Sequence, residues 1–340
     1  MGRVAPVETQ ANIKKTTNMW AITSYFNPVG YRRRSFNYHV FRKNLDLPLV
    51  TVELGFDGKY ELTNKDADVL IQIDGGAVLW QKERLLNLAL KAVPADVENI
   101  AWLDCDVVFQ RSDWTEEAEQ RLTSLNVIQL FSESAEFKAE RLHPAASTEA
   151  QYTPAIGALF AHSNLPTRER WQSVETIRPK QLGFAWAGKR ALLQDQTFYD
   201  AAILGGADAL MFLAMYGLFE QAINRSSLNV VSGNHYLRWA ESFHKAVGQR
   251  VGYIPGKIYH LWHGDRENRK YRDRYHLLRN FDPYSDIILA SSGAWQWKDP
   301  QSELAQSANK YFLERSEDGA IMELLSLDPL QLNFGWPASF

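Results

Sequence analysis

The chain has 340 residues, 37 basic against 40 acidic for a formal net charge of −3, with 45% apolar and 23% charged positions. This is the make-up of a soluble globular protein with core enough for one large α/β domain or two small ones, and it has no basic surplus for nucleic-acid binding. The single cysteine, Cys105, excludes an intrachain disulfide framework and fits a reducing, cytoplasmic setting. Residues 1–18 are polar and lack the apolar core of a signal peptide, and no apolar run approaches the roughly 20 residues of a membrane span.

The ordered chain is expected to start near Met19, leaving 1–18 as an extended or disordered segment. Residues 19–25 read as a first strand, broken by Asn27, Pro28 and Gly30. Residues 33–45 have helical spacing, and 47–54 and 67–73 read as strands, the latter followed by Asp74, Gly75 and Gly76. The clearest helix runs over 79–93, with Leu85, Leu86, Leu88, Leu90 and Val93 as its apolar stripe and Pro94 as its stop. A strand at 99–103, a helix at 114–122 and a strand at 127–131 continue the alternation, which argues for a mostly parallel, doubly wound sheet.

After Ser132 the pattern changes. Residues 132–155 lack periodicity and read as a loop over the site; 157–161 read as a strand, 183–187 as a short aromatic strand leading into a helix near Arg190. Helices are expected at 208–219 and 235–248, a late strand at 251–261, and a charged helix at 266–280 carrying Tyr271, Tyr275 and Leu278. One helix, around 303–314, falls in the tail. The organisation is one domain over 19–290, divided into a 19–131 half and a 132–290 half, with 291–340 as a C-terminal extension.

Three constellations carry chemistry. The run N-I-A-W-L-D-C-D-V-V-F at 99–109 is a buried strand ending in two carboxylates, Asp104 and Asp106. Residues two apart in an extended chain point the same way, at the strand edge where α/β sheets bind ligands, and hard oxygen ligands there suit a divalent cation holding a phosphate. Cys105 between them is a small packing residue. On the preceding helix, Arg84 and Asn87 share a face; Arg84 can reach a phosphate and Asn87 can fix the aspartate loop. The second constellation is Tyr259-His260-Leu261-Trp262-His263-Gly264. In a strand, positions three apart face opposite ways, so one imidazole joins the metal, preferably His260, while His263 contacts phosphate or orients the ligand; imidazole with carboxylate suits Mn²⁺. The third is Leu204-Gly205-Gly206-Ala207-Asp208, where Asp208 is either a helix cap or a general base. Eleven Trp residues, with Trp186, Trp262, Trp295 and Trp297 near Gly or His, offer indole faces to sugars or bases.

In this order, the segments resemble the metal-dependent GT-A glycosyltransferases. Y-F-N-P-V-G-Y at 25–31 is similar to their first nucleotide-binding loop, with Tyr25 and Asn27; 79–87 and 102–109 are similar to the helix and Asp-x-Asp metal strand. The stretches at 183–190 and 198–208 are similar to the acceptor region of galactosyltransferase-like members, with Ala207 where a Glu stands in the family. The resemblance implies a three-layer α/β/α fold with a mixed, mostly parallel sheet. It further implies inverting transfer of a hexose from a nucleoside-diphosphate sugar, UDP-linked for preference, to a glycan or other hydroxyl acceptor in polysaccharide biosynthesis. In that scheme Mn²⁺ or Mg²⁺ sits on Asp106 and His260; Asp104 contacts it through water or binds the ribose; Asp208 is the base; and Trp186 stacks on a sugar. A lipid-linked acceptor would be met at a membrane surface. Two alternatives remain open at this point: a haloacid-dehalogenase-type phosphatase with Asp104 as nucleophile, and a catalytically silent carbohydrate- or nucleotide-binding module.

Overall fold

The computed structural model describes residues 18–136, 152–178, 180–265, 267–269 and 273–319. In chain order the strands are β1 (Met19–Phe26), β2 (Leu49–Leu54), β3 (Val69–Ile73), β4 (Asn99–Leu103), β5 (Val107–Phe109), β6 (Val127–Gln129), β7 (Glu133–Glu136), β8 (Tyr152–Pro154), β9 (Ala185–Lys189), β10 (Val251–Tyr253), β11 (Lys257–His260), β12 (Ile287–Leu289) and β13 (Trp295–Trp297). The helices are α1 (Arg32–Lys43), α2 (Lys82–Ala92), α3 (Trp114–Leu122), α4 (Ile156–Ala161), α5 (Thr167–Glu175), α6 (Arg190–Gln196), α7 (Ala207–Met215), α8 (Phe219–Arg225), α9 (Val230–Val247) and α10 (Glu303–Leu313).

Seven strands form the main sheet in the order β10-β6-β9-β4-β1-β2-β3. All its pairings are parallel except those of β9, which runs antiparallel between β4 and β6. Successive strand residues alternate between two apolar clusters, as the pleat requires. In β4, Ile100 and Trp102 join the cluster containing α2, α7, α9 and α10, while Ala101 and Leu103 join the one containing α1 and α3. Both faces are therefore covered, and the mixed, mostly parallel three-layer α/β/α fold read from the sequence is the fold observed. A second sheet, β5-β11-β7-β8, stands beyond the carboxyl ends of the central strands. Ala294, Trp297, Ala305, Ala308, Tyr311 and Phe312 of the tail are buried in the same cluster as α2 and α7.

Several local expectations are overturned. Residues 157–161 form a helix, α4, not a strand; a short apolar run fits either, and here the Gly157 N–H donates to the buried Gln129 side chain (2.8 Å). The late strand 251–261 is two strands in different sheets, because Pro255 and Gly256 (φ +137°) break it. The helix expected at 208–219 stops at Met215, where Gly217 (φ +70°) turns the chain into α8. Instead of starting at 235, α9 begins at Val230, because the Asn229 side chain accepts from the Val231 and Ser232 N–H groups (both 2.9 Å). Of the charged helix at 266–280, the described residues form a 3₁₀ turn, Asp273–Leu278; Tyr271 lies outside them. Residues 133–136 and 152–154, expected as loop, pair as β7 and β8, and 137–151 lie outside the described residues.

Candidate active site

A cavity of about 730 Å³ opens where β1 and β4 end, the edge at which open α/β sheets hold ligands. Ser24 and Tyr25 from β1, the 104–106 turn after β4, the 181–184 segment before β9, Gly205, Gly206 and Asp208, and His260 and His263 all line it.

The sequence expectation that both acids face one point fails, because the strand ends between them and the chain beyond Leu103 turns. The Asp104 N–H donates to Phe184 O (2.8 Å), and the chain turns at Cys105 and Asp106 into β5. The two carboxylates consequently meet different partners. Asp104 Oδ1 lies 2.6 Å from Lys82 Nζ, and the same ammonium lies 3.2 Å from Asp208 Oδ1. Asp106 Oδ2 instead faces His263 Nε2 at 3.2 Å and His260 Nε2 at 3.7 Å.

Strand pairing explains the second group. β11 runs antiparallel to β5 with His260 opposite Val107, and the Leu261 N–H donates to Asp106 O (2.8 Å), so His260 arrives beside Asp106. Because β11 ends at His260, the opposite-face argument does not apply to His263, and both imidazoles enter, their Nε2 atoms 3.2 Å apart. Phe184 stacks on His260 (centroids 4.4 Å, 21°) while holding φ +78°, a costly backbone state for an aromatic residue that its neighbours must enforce. His263 Nδ1 faces the carboxylate of Glu317 at 3.8 Å. Glu317 is fully buried, 2.5 Å from both Arg34 Nε and Arg315 Nε. Asp106, His260 and His263 bring one ligand atom each within 4.8 Å of one another. Asp106 Oδ1 is buried with no hydrogen-bond partner among the described residues. An unsatisfied carboxylate oxygen beside two imidazole nitrogens fits a borderline divalent cation, and a carboxylate behind one imidazole is the usual support for such a ligand.

The charges follow from these contacts. Burial opposes the Lys82 charge, but Asp104, Asp208 and Glu83 around it hold its pKa well above the ordinary value. Burial raises Asp104 to about 6 although Lys82 pulls it down, with Asp208 and Asp106 adding to the rise. Burial raises Asp106 too, but His260, His263 and Arg269 outweigh it, and its carboxyl is held low. Burial and Arg269 lower His263 to about 4, leaving a neutral imidazole at pH 7. Glu317 is held well below the ordinary range, burial being overcome by Arg34, Arg315 and His263.

The remaining sequence candidates divide. Tyr25 lines the cavity, its hydroxyl donating to Glu61 (2.6 Å). Asn27 bonds Glu61 (2.7 Å) and closes the 27–31 turn through the Tyr31 N–H and C=O, so it shapes the loop rather than the cavity wall. Arg84 and Asn87 do not reach a phosphate or the aspartate turn. Arg84 holds Gly293 O (2.6 Å) and Asp200 (3.0 Å), and Asn87 clamps the Phe198 backbone and Asp200, so both fix the 198–200 loop. Trp186 is a correction of the same kind. It is 3% exposed, stacks on Trp102 in the core and donates its indole N–H to Leu182 O (2.9 Å), which leaves no ring face for a sugar. Burial first, then Asp106, raises the Cys105 thiol, which fits packing and not nucleophilic attack.

Lys82 and Glu317 are the residues the sequence reading missed. Lys82 left a signal: it falls in helical register with the buried Leu85, Leu86 and Ala89, a charge on the apolar stripe of α2. Glu317 left none, since Arg34 and His263, the partners that tie it to the site, lie far away in the chain.

Gly205 (φ +86°) and Gly206 (φ +96°) enter α7 through the left-handed region, and a Cβ on Gly206 would collide with the Tyr275 hydroxyl. A Cβ on Gly183 would stand 2.6 Å from Asp208 Oδ2. The turn before β9 thus presses directly on the Asp208 carboxylate.

No protein-family model and no curated protein matches the sequence. Among solved structures, the chain is similar to S. aureus TarS 1–349, crystallised with UDP-GlcNAc, at 12% identity over 73% of this chain and 59% of that one, TM-score 0.39. It thus spans about three fifths of that protein's length. It is also similar to glucosyl-3-phosphoglycerate synthase from Mycobacterium tuberculosis, crystallised with Mn²⁺, UDP and phosphoglyceric acid, at 11% identity over 83% and 86%, TM-score 0.38. A third is 4-diphosphocytidyl-2C-methyl-D-erythritol synthase from Anaerococcus prevotii, 11% identical over 71% and 87%, TM-score 0.32.

Proposed function

We propose that the protein is a metal-dependent glycosyltransferase that moves a hexose from a nucleoside-diphosphate sugar, a UDP-hexose for preference, to a hydroxyl acceptor with inversion. The supporting observation is the pairing of Asp106, whose buried Oδ1 has no partner among the described residues, and two imidazoles in a cavity that also holds the Lys82-Asp104-Asp208 group. Asp106, His260 and His263 would hold the ion, Mn²⁺ or Mg²⁺. Two nitrogen donors favour Mn²⁺. When bound, a divalent cation supplies Lewis-acid stabilisation of the charge that builds on a departing diphosphate.

The chain's own groups do the rest. Asp208 accepts the acceptor hydroxyl proton as the oxygen attacks the anomeric carbon from the face opposite the leaving group. The Lys82 ammonium holds Asp208 and Asp104 together and fixes the direction in which the base points. Tyr25, which lines the cavity from the end of β1, would border the nucleoside.

The test is a thermal-shift screen of UDP-, GDP-, CMP- and dTDP-sugars with and without Mn²⁺. Binding at a hundredfold excess over Kd stabilises by about 2.7 kcal/mol, which is readily seen. A shift for one nucleotide that needs the metal and vanishes in Asp106→Ala is expected. No metal-dependent shift with any donor overturns the reading.

A further inference from the structure

One wall of the cavity carries more positive charge than the proposed donor chemistry uses. Arg178, Lys180 and Arg225 all line it, with Glu175 the acid beside them. Burial first, with Arg178 and Arg225 adding to it and Glu175 opposing, lowers Lys180 to about 8; burial also lowers Arg225, which has Tyr275, Arg178 and Glu175 as charged or titratable neighbours. Part of this charge has a structural use. The Lys180 ammonium bonds Glu175 O (2.9 Å) and Ile177 O (3.0 Å) at the carboxyl end of α5, and Arg178 also bonds these carbonyls. Those bonds leave Lys180 one N–H and Arg178 most of its fork. Arg225 makes no hydrogen bond or ion pair to any described residue, although its side chain is largely buried in the cavity wall.

The position is specific. The chain from Lys180 to Phe184 runs past Asp208, which Gly183 abuts, to His260, which Phe184 covers. Four residues of extended chain span at most about 14 Å. Lys180 therefore lies within about 14 Å of Phe184, and its charged neighbours Arg178 and Arg225 line the same cavity as Asp208 and the histidines. Three positive charges against one carboxylate leave an excess suited to a dianion more than to a single carboxylate, and guanidinium forks match phosphate oxygens.

Resting on the transferase reading above, we propose that Arg225, Arg178 and Lys180 form an acceptor subsite for a phosphate group, so that the hydroxyl presented to Asp208 belongs to a phosphate-bearing acceptor. Such an acceptor gains from the site twice. Its anion relieves the repulsion among the three cations, and the anchored phosphate holds the acceptor in the cavity that Asp208 lines.

The experiment is calorimetric titration of inorganic phosphate into the protein saturated with UDP and Mn²⁺, with sodium acetate as the carboxylate arm. Phosphate is expected to bind, and Arg225→Ala to weaken it at least about tenfold, the loss of a charge-assisted bond, with Arg225→Lys falling between. Arg178→Ala, at an exposed position, provides a second variant should Arg225→Ala fail to fold. Arg168→Ala, whose 3.4 Å partner Glu220 is exposed with it, is expected to match the parent. Equal phosphate affinity in parent and Arg225→Ala, no phosphate binding, acetate binding as tight as phosphate, or loss of UDP binding in Arg225→Ala each overturns the subsite. If the parent does not bind UDP with Mn²⁺, the transferase reading fails instead, and phosphate titration of the protein alone still reads Arg225.

Discussion

Two carboxylates one residue apart end up in opposite electrostatic situations. Asp104 is neutralised from within the fold, by an ammonium that Asp208 shares. Asp106 stands against two imidazoles, one of them with its pKa lowered to about 4, and keeps one oxygen without a partner among the described residues. The first arrangement is complete as it stands and resembles a structural ion-pair cluster with one acid left at the cavity. The second leaves a carboxylate oxygen open beside two imidazoles, the arrangement the proposed cation would use. An acid-x-acid motif is thus not a single chelating unit here. The turn after β4 sends its two acids to different partners, Lys82 on one side and the two imidazoles on the other.

That division can be broken from either side. The largest effect is expected at Asp208→Asn, which keeps the shape and removes the base: turnover should fall by about 10²–10⁴ while donor binding stays, in kinetics run with saturating metal. Unchanged turnover would assign Asp208 to the Lys82 cluster alone. Lys82→Met leaves Asp104 and Asp208 beside each other without a counter-ion and should cost about 3 kcal/mol of stability in urea melts, near the low end for a buried pair because both acids keep access to the cavity. Tolerance of this change would mean that water in the cavity already screens the two acids.

Glu317→Gln tests the other group. Losing the charge behind His263 should weaken Mn²⁺ by about 10- to 100-fold in a metal titration, without touching the Lys82 cluster. Last comes pH. Glu83 is raised from 4.5 to about 8 by burial, with Lys82 opposing and Asp208 adding. The folded form holds this proton longer than the unfolded chain does, so stability from Glu83 falls as pH rises from about 4.5 through about 8. Glu83→Gln should flatten that slope, seen as a Tm gain of a few degrees at pH 8 and little at pH 4.5. A parallel slope in the variant would place the titration elsewhere.

Legibility in the sequence followed the range of the interactions. β4, α2 and α3 were readable because their apolar spacing is a local property, and β4 and α3 match the expected ranges residue for residue. α4 and the β10–β11 break were not, since a short apolar run fits helix and strand alike and the outcome depends on which sheet receives it. In the site, Asp106, Asp208 and both histidines stood out by type and spacing. Arg84 and Asn87 stood out equally and turned out to brace the 198–200 loop, because a polar strip on a helix does not say what will face it.

The sequence by itself determined the alternating β/α order, the buried strand leading to Asp104, the glycine pair before Asp208 and the absence of a disulfide framework, all of them consequences of residue type and spacing along the chain. Tertiary structure alone decided that Asp106 joins His260 and His263, that Lys82 claims Asp104, that Trp186 is core and that Glu317 from the tail stands behind His263. Electrostatic partnership is a distance in space, and distances between residues remote in sequence exist only once the sheet has set its register.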